Sequence, residues 1–161
     1  TLAFSDSDQE SLVTNYGYSK AKAKDLSCGD VIVYTINTNT KKVENFAVLF
    51  QWSKVKNNQG NRWFEAGNDT PIPTENYAIA NCHIIFGKVK SNRGNTVILN
   101  ANGDTSNHLW DRVFPYSATA VYLVDSARNT VVTADEADAS TGDEVLIRDR
   151  LANMSLMVIY R

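Results

Sequence analysis

The chain has 161 residues, 43% of them hydrophobic, and a formal charge of −2 from 16 Lys and Arg against 18 Asp and Glu. This size suits one domain or two small joined ones, and without a basic excess the chain is a poor binder of nucleic acid phosphates. No apolar run approaches the ~20 residues of a membrane span, and residues 1–4 lack the pattern of a signal peptide. Because the chain starts without Met, we expect it to be a piece of a longer protein.

Composition and patterning favour strands over helices. The chain holds 17 Asn and 13 Thr but only three Pro, and alternating or β-branched runs recur between Asn- and Gly-rich breaks. In chain order the predicted strands are residues 31–36, 43–52, 82–89, 96–99, 120–124, 130–132, 144–148 and 155–160. Three hairpins follow, across turns at 37–42, 91–95 and 149–153, and Gly94 suits a tight turn with positive φ. The sequence therefore predicts an all-β protein with little helix.

Three stretches lack a clear pattern. Residues 53–81 and 101–117 hold aromatic side chains among polar ones, which indicates loops or short irregular strands. Residues 4–18 are ambiguous, because the acids near their start could open a short helix.

The motif D-x-S-x-G-D occurs twice, at residues 25–30 and 138–143, each time followed by an apolar strand and then a second one. We expect Gly29 and Gly142 to turn the backbone at positive φ, and the Asp after each to accept hydrogen bonds from amides of the turn. This pattern predicts two barrel-like or sandwich-like halves, residues 1–81 and 82–161, packed as one compact all-β unit.

At these motifs the sequence resembles the all-β modules found beside S-layer homology domains in surface proteins of clostridia-like, Gram-positive bacteria. The resemblance begins with D-L-x-x-G-D-V-I-x-Y at residues 25–34, followed by the turn at 37–42 and the strand at 43–50. Its later part comprises residues 87–89, 95–99, 120–125, 142–147 and 158–160, so that residues 18–52 and 83–161 are covered. The resemblance implies an extracellular protein of the cell wall or surface layer, with no catalytic residues known for the family.

The candidate metal ligands are few. Cys28 and Cys82 have no CxxC spacing, so we expect two small buried side chains, with a disulfide as the alternative. Asp104, His108 and Asp111 have the short spacing of a small metal site, although loop composition explains them equally well. We expect neither a metal nor a cofactor.

No local motif supports catalysis. His83 lies in an apolar strand and His108 in a polar loop, and neither has a nucleophile pattern beside it. The acids at 135–138 are typical of a solvated turn, whereas a glycosidase needs two carboxylates across a cleft. We therefore predict that the chain is not an enzyme, and a fragment of a cell-wall hydrolase remains the competing class.

Aromatic side chains gather in or beside the irregular segments, and we expect most of them to fill ends of the core: Trp52, Trp63, Phe64, Tyr77, Trp110, Phe114 and Tyr116. The predicted function is a structural or adhesive module of a secreted, wall-associated protein, with neighbouring domains of the parent protein or cell-wall glycan as partners. The alternative is a carbohydrate-binding module, in which Trp63 and Trp110 would stack on sugar rings.

Overall fold

The computed structural model describes residues 2–12, 20–56, 62–66, 83–150 and 153–161, without the side chains of residues 64, 66, 150 and 153. Ten strands and one short helix are present in these ranges: β1 (Val31–Ile36), β2 (Val43–Phe50), α1 (Trp52–Val55), β3 (Phe64–Ala66), β4 (His83–Arg93), β5 (Thr96–Asn100), β6 (Asp111–Pro115), β7 (Ala120–Asp125), β8 (Thr130–Thr133), β9 (Glu144–Arg150) and β10 (Asn153–Tyr160). The prediction of an all-β protein with little helix is confirmed.

The chain divides into two compact units, and the described residues up to Lys56 form unit 1. Here β1 and β2 make an antiparallel hairpin, with Ile32 opposite Val48 and Tyr34 opposite Phe46. The N-terminal segment adds a parallel bridge from Phe4 to β2 and an antiparallel bridge between Glu10 and Lys22. A small core results, which we call the unit 1 core: Ala21, Ala23, Val43, Phe46 and Val48, with Phe4, Leu26 and Ile32 packed against it.

Unit 2 contains the other described residues, from Arg62 onward. Its strands form one sheet in the order β6-β5-β4-β9-β10-β7-β8. The short strand β3 also pairs with β4, on the same edge of β4 as β5. All its pairings are antiparallel except that of β10 with β7, which is parallel. The predicted halves, 1–81 and 82–161, differ from this division in that residues 62–66 go with unit 2.

One face of this sheet buries the larger core, whose members come from strands at both sides of the order: Ile85, Val89, Val97, Leu99, Ala101, Phe114, Val121, Ala139, Val145, Ile147, Met154, Met157 and Ile159. The expectation of barrel-like halves is wrong for the described residues, because neither of the two sheets closes. The larger sheet stays open because its two end strands, β6 and β8, do not pair with each other: each pairs on one side only.

The two D-x-S-x-G-D segments have closely similar turns. Gly29 has φ +92° and Gly142 has φ +95°. Asp30 accepts a hydrogen bond from the Ser27 amide at 3.0 Å, and Asp143 accepts one from the Ser140 amide at 2.8 Å. Each segment begins in a 3-10 turn, Ala23–Asp25 or Glu136–Asp138, and each leads directly into a strand of an antiparallel hairpin.

Replacing Gly29 or Gly142 with Val is expected to lower the free energy of unfolding by roughly 2 kcal/mol each, because a β-branched residue is strained at positive φ. Around Gly142 no atom lies within 4 Å of an added Cβ, so backbone strain alone carries the effect there. Thermal unfolding measures the change, and Thr141→Val, an exposed position of the same turn, is the control with little effect. Unchanged melting temperatures in both glycine variants would contradict this account.

The three predicted hairpins, β1–β2, β4–β5 and β9–β10, are all present. Gly94 turns at φ +59°, as expected, and Asn95 after it has the same value. Residues 101–117, predicted as loops or short irregular strands, contain the short strand β6, which pairs along β5. The described part of the N-terminal segment, residues 2–12, contains bridges rather than a helix.

The two cysteines can be compared only in part. Cys28 is a half-buried free thiol, and Cys82 lies outside the described residues.

Candidate functional site

The exposed apolar side chains of unit 2 concentrate at its sheet edges. Among the described residues of this unit, the exposed large apolar side chains lie at an edge strand or on its neighbour: Leu109, Trp110 and Val113 at β6, Val131 and Val132 on β8, and Tyr122 on the adjacent strand β7. We call the first three residues the β6-edge surface. Leu109 is 83% exposed and Trp110 is 43% exposed, although both are costly to leave in water.

A buried asparagine fixes the loop that carries the β6-edge surface. Asn100 is fully buried at the end of β5, and its side-chain amide donates to the Asn107 carbonyl at 2.7 Å and to Asp111 Oδ1 at 3.0 Å. Its side-chain oxygen accepts from the Asn102 amide at 3.1 Å. Asn107 in turn caps the 3-10 turn His108–Trp110 by accepting from the Leu109 amide. Leu109 and Trp110 are thus presented on a loop that these hydrogen bonds hold in place.

A charged group supports the same loop from β4. Lys90 Nζ lies 2.5 Å from Asp111 Oδ2 and 2.7 Å from His108 Nδ1, and His108 Nδ1 lies 3.2 Å from the same carboxylate. The hydrogen bond from Lys90 is the main reason why the pKa of Asp111 lies below its ordinary value. Lys90 therefore favours the ionised form of Asp111.

The suggested metal ligands do not form one site. Asp104 accepts hydrogen bonds from the Ser106 hydroxyl and amide, whereas His108 and Asp111 interact with Lys90. No group of three or more His, Cys, Asp or Glu side chains suited to a metal occurs among the described residues.

Trp63, the other predicted glycan contact, packs against side chains of unit 2. Its ring stacks on Phe86 at a centroid distance of 5.2 Å and an interplanar angle of 25°. The Arg62 guanidinium lies 4.7 Å and Lys88 Nζ 5.7 Å from the ring centroid, within the range of cation–π interactions. A Cβ on Gly103 would lie 2.1 Å from its Nε1, so the indole edge abuts that glycine.

The remaining aromatic side chains of the predicted group differ in burial. Trp52 and Phe114 are buried, and Tyr116 is half-buried against the larger core, with its hydroxyl bonded to Asn92. Tyr77 and the side chain of Phe64 lie outside the described residues. Trp110 is the exposed tryptophan of the described chain, and Trp63 is intermediate.

A second polar cluster, which the sequence did not indicate, joins four strands of unit 2. Glu65 on β3 accepts from Arg112 Nε at 2.9 Å and pairs with Arg112 Nη2 at 2.8 Å. Glu65 Oε1 also lies 2.9 Å from His83 Nε2, and His83 Nδ1 lies 3.9 Å from Asp149 Oδ2 on β9. These side chains come from distant parts of the sequence, so no local motif predicts that they form a cluster.

The acids predicted to form a solvated turn have defined partners. Asp135 accepts from the Ala137 amide, and Asp138 accepts from the Asp135 amide, which completes a capping box. Glu136 accepts from the amides of Ser117 and Ala118 at 2.7 Å and 2.6 Å. Glu136 thus holds the connection between β6 and β7 against the turn, and Asp135 and Asp138 stabilise the turn itself.

The Glu65 cluster predicts an acid dependence of stability. Burial works to raise the pKa of the Glu65 carboxyl, but hydrogen bonds and charge from Arg112 and His83 outweigh it, and the pKa lies below its ordinary value. Because the folded-state pKa is depressed, the stability that this carboxylate contributes is present above its unfolded pKa of ~4.3 and is lost as the pH falls through the folded value.

We therefore expect Glu65→Gln to lower the free energy of unfolding at pH 7 by about 1 kcal/mol, and to weaken the loss of stability on acidification. Urea unfolding at pH values from neutral to acidic measures both effects. Glu10→Gln is the control, because Glu10 and its partner Lys20 are more than half exposed at 3.8 Å. Equal acid profiles for the wild type and Glu65→Gln would contradict the assignment.

Comparison with known proteins finds no match to this chain among family models, curated proteins or solved structures. None of the helices in the described ranges has the length and apolar content needed to cross a membrane.

Proposed function

We propose that this chain is a non-catalytic structural or adhesive module of a secreted, wall-associated bacterial surface protein, and that it attaches to a protein neighbour through the β6-edge surface. The observation that carries the proposal is the exposure of Leu109, Trp110 and Val113 together at one sheet edge. The resemblance of residues 18–52 and 83–161 to modules beside S-layer homology domains supports the extracellular setting.

Rigidity favours this surface as a binding site. Asn100, Lys90 and Asp111 hold the loop before β6, so a partner meets Leu109 and Trp110 on a backbone whose position is already fixed by hydrogen bonds. Binding to such a surface costs less conformational entropy than binding to a mobile loop. Tryptophan is also among the residues that most often dominate the energetics of protein interfaces.

Glycan binding is the second candidate, and the exposed indole of Trp110 favours it. A flat apolar ring beside polar groups can stack on a sugar, and His108 and Arg112 lie two residues before and after Trp110 in the chain. Trp63 is the weaker of the two predicted contacts, because Phe86, Arg62 and Lys88 already occupy its surroundings.

We also infer that the two D-x-S-x-G-D hairpins are copies of one structural unit. The similar glycine φ angles and turn hydrogen bonds support this. Both hairpins are antiparallel: Val33 lies opposite Ala47 in one, and Leu146, at the same distance from its motif, lies opposite Val158 in the other. In both units the second hairpin strand has a parallel neighbour, at Phe4 or along β7.

Cosedimentation with bacterial cell walls tests the proposed function. We expect the chain to pellet with walls that retain their surface proteins and to stay in solution with walls stripped of protein. Leu109→Lys should weaken this binding about tenfold or more, because it places a charge in a desolvated contact. Val132→Lys at the opposite sheet edge is the matched control and should bind normally.

Three outcomes would overturn the proposed function. Binding that Leu109→Lys leaves unchanged would remove the β6-edge surface from the argument. Saturable binding to protein-free wall glycan, followed by tryptophan fluorescence and lost in Trp110→Ala, would establish the carbohydrate-binding alternative instead. Turnover of the glycan during the titration would establish a hydrolase.

A further inference from the structure

The outer edge of β1, which is not paired with another described strand, is a second surface suited to binding another chain. Among the described residues β1 pairs with β2 only, so its other edge carries backbone groups without a strand partner. Its sequence, V-I-V-Y-T-I, contains no charged residue and no Pro. Charges and prolines are among the usual means by which proteins keep an edge strand from pairing with another chain, and β1 has neither. The pairing of β1 with β2 is irregular only at its two ends, between Val31 and Ile32 and between Thr35 and Ile36.

Burial changes sharply across this hairpin. Ile32, Tyr34 and Ile36 alternate along β1 and therefore share the face that contributes to the unit 1 core. Tyr34 is 42% exposed and Ile36 is 44% exposed, although their partners on β2, Phe46 and Val43, are almost fully buried. The apolar face is thus covered over β2 and left open at β1.

The other D-x-S-x-G-D hairpin shows what covers such an edge. Val145 and Ile147 follow Asp143 by two and four residues, as Ile32 and Tyr34 follow Asp30. Both are fully buried, because β4 pairs antiparallel with β9 and places Ile85 opposite Ile147. An antiparallel strand on this edge is therefore compatible with the motif, and it buries the position equivalent to Tyr34, which β1 leaves exposed.

We propose that β1 pairs antiparallel with β1 of a second copy of this chain, about a twofold axis at Tyr34. This register keeps the two apolar faces on one side of the joined sheet, since a shift of one residue would send them to opposite sides. Ile32 of each copy then lies opposite Ile36 of the other, and Val33 opposite Thr35. All these pairs are aromatic or β-branched, which stabilises neighbouring strands, and no like charges oppose each other.

The interface is small, and this sets the expected strength. Two paired strands of six residues bury less than the ~1,200–2,000 Å² typical of stable complexes. The dimer is therefore weak and dependent on concentration. The proposal does not depend on the β6-edge surface, which lies in the other unit of the chain.

Sedimentation velocity of the full chain tests the proposal over concentrations of ~10 µM to ~1 mM, the range in which weak complexes form. We expect a growing dimer fraction for the wild type, and a dissociation constant raised at least tenfold in Tyr34→Lys. Tyr122→Lys is the matched control, because Tyr122 is 39% exposed on β7, whose two edges are both paired, and it should dimerise like the wild type.

A cross-linking experiment tests the register independently of any loss of folding. Residues at a twofold axis in an antiparallel pair lie ~4.5–5.5 Å apart, a separation that suits a disulfide. In a Cys28→Ser, Cys82→Ser background, Tyr34→Cys should form a covalent dimer on mild oxidation, whereas Thr38→Cys in the adjoining turn should not. A wild type that stays monomeric at ~1 mM, a dimer that persists in Tyr34→Lys, or equal cross-linking at both positions would overturn the proposal.

Discussion

Gly87→Ala is expected to lower the free energy of unfolding by ~3 kcal/mol and the melting temperature by about 10 °C. Gly87 lies in β4, where β9 is paired on one side and the end of β5 approaches on the other. A Cβ at this position would lie 2.5 Å from the Asn100 carbonyl oxygen and 3.0 Å from its carbonyl carbon. These are backbone atoms of a paired strand, so they cannot move aside as a flexible side chain would.

The clash also reaches the loop before β6. Asn100 is the residue whose side chain holds Asn107 and Asp111, so displacing its backbone should loosen the β6-edge surface as well. We therefore expect Gly87→Ala to weaken wall binding at temperatures where the protein is still folded. Gly94→Ala is the matched control: its φ is +59° but no atom lies within 4 Å of the new Cβ, and it should cost about 1 kcal/mol. Equal costs at the two glycines would show that the approach of β5 is not as close as described.

Local patterns explain why the hairpins could be predicted. In β1–β2, β4–β5 and β9–β10 both strands carry apolar runs, and in the first two hairpins a turn containing Gly or Asn lies between the strands. β6 could not be recognised in the same way, because D-R-V-F-P contains two charges and a Pro and has only five residues. Its pairing with β5 crosses an irregular loop, and the parallel pairing of β10 with β7 spans a still longer connection. Such contacts depend on the whole sheet rather than on a local signal.

The candidate site was predicted in part. The sequence singled out Trp63 and Trp110 because both stand among polar residues, and composition alone treats them alike. Their surroundings differ because β3 brings Trp63 to Phe86, whereas Trp110 ends a turn at the open edge of the sheet. The contacts of Glu65 with Arg112 and His83 arise from three different strands, so they become visible only once the pairing of β3 with β4 is known.

Phe86→Ala is expected to have the largest effect of any single side-chain truncation near Trp63, lowering the free energy of unfolding by about 3–5 kcal/mol. Phe86 is fully buried, stacks on Trp63, and meets Tyr160 edge-on at a centroid distance of 6.0 Å. Its loss removes apolar burial and two aromatic contacts, and it leaves a cavity beneath the indole. Since whole domains have ~5–15 kcal/mol of stability, this variant should be folded only marginally at 37 °C.

Fluorescence separates the loss of this contact from a general loss of stability. In a Trp110→Phe background the remaining tryptophans are the buried Trp52 and the half-buried Trp63. At temperatures where Phe86→Ala is folded, its emission should shift to longer wavelength, because Trp63 loses the ring that covers it and meets more water. Ile147→Ala is the control: it removes a fully buried side chain on the opposite face of the sheet, costs a comparable ~2–5 kcal/mol, and should leave the emission of Trp63 unchanged. An unshifted emission in Phe86→Ala would mean that Phe86 does not hold Trp63 in place.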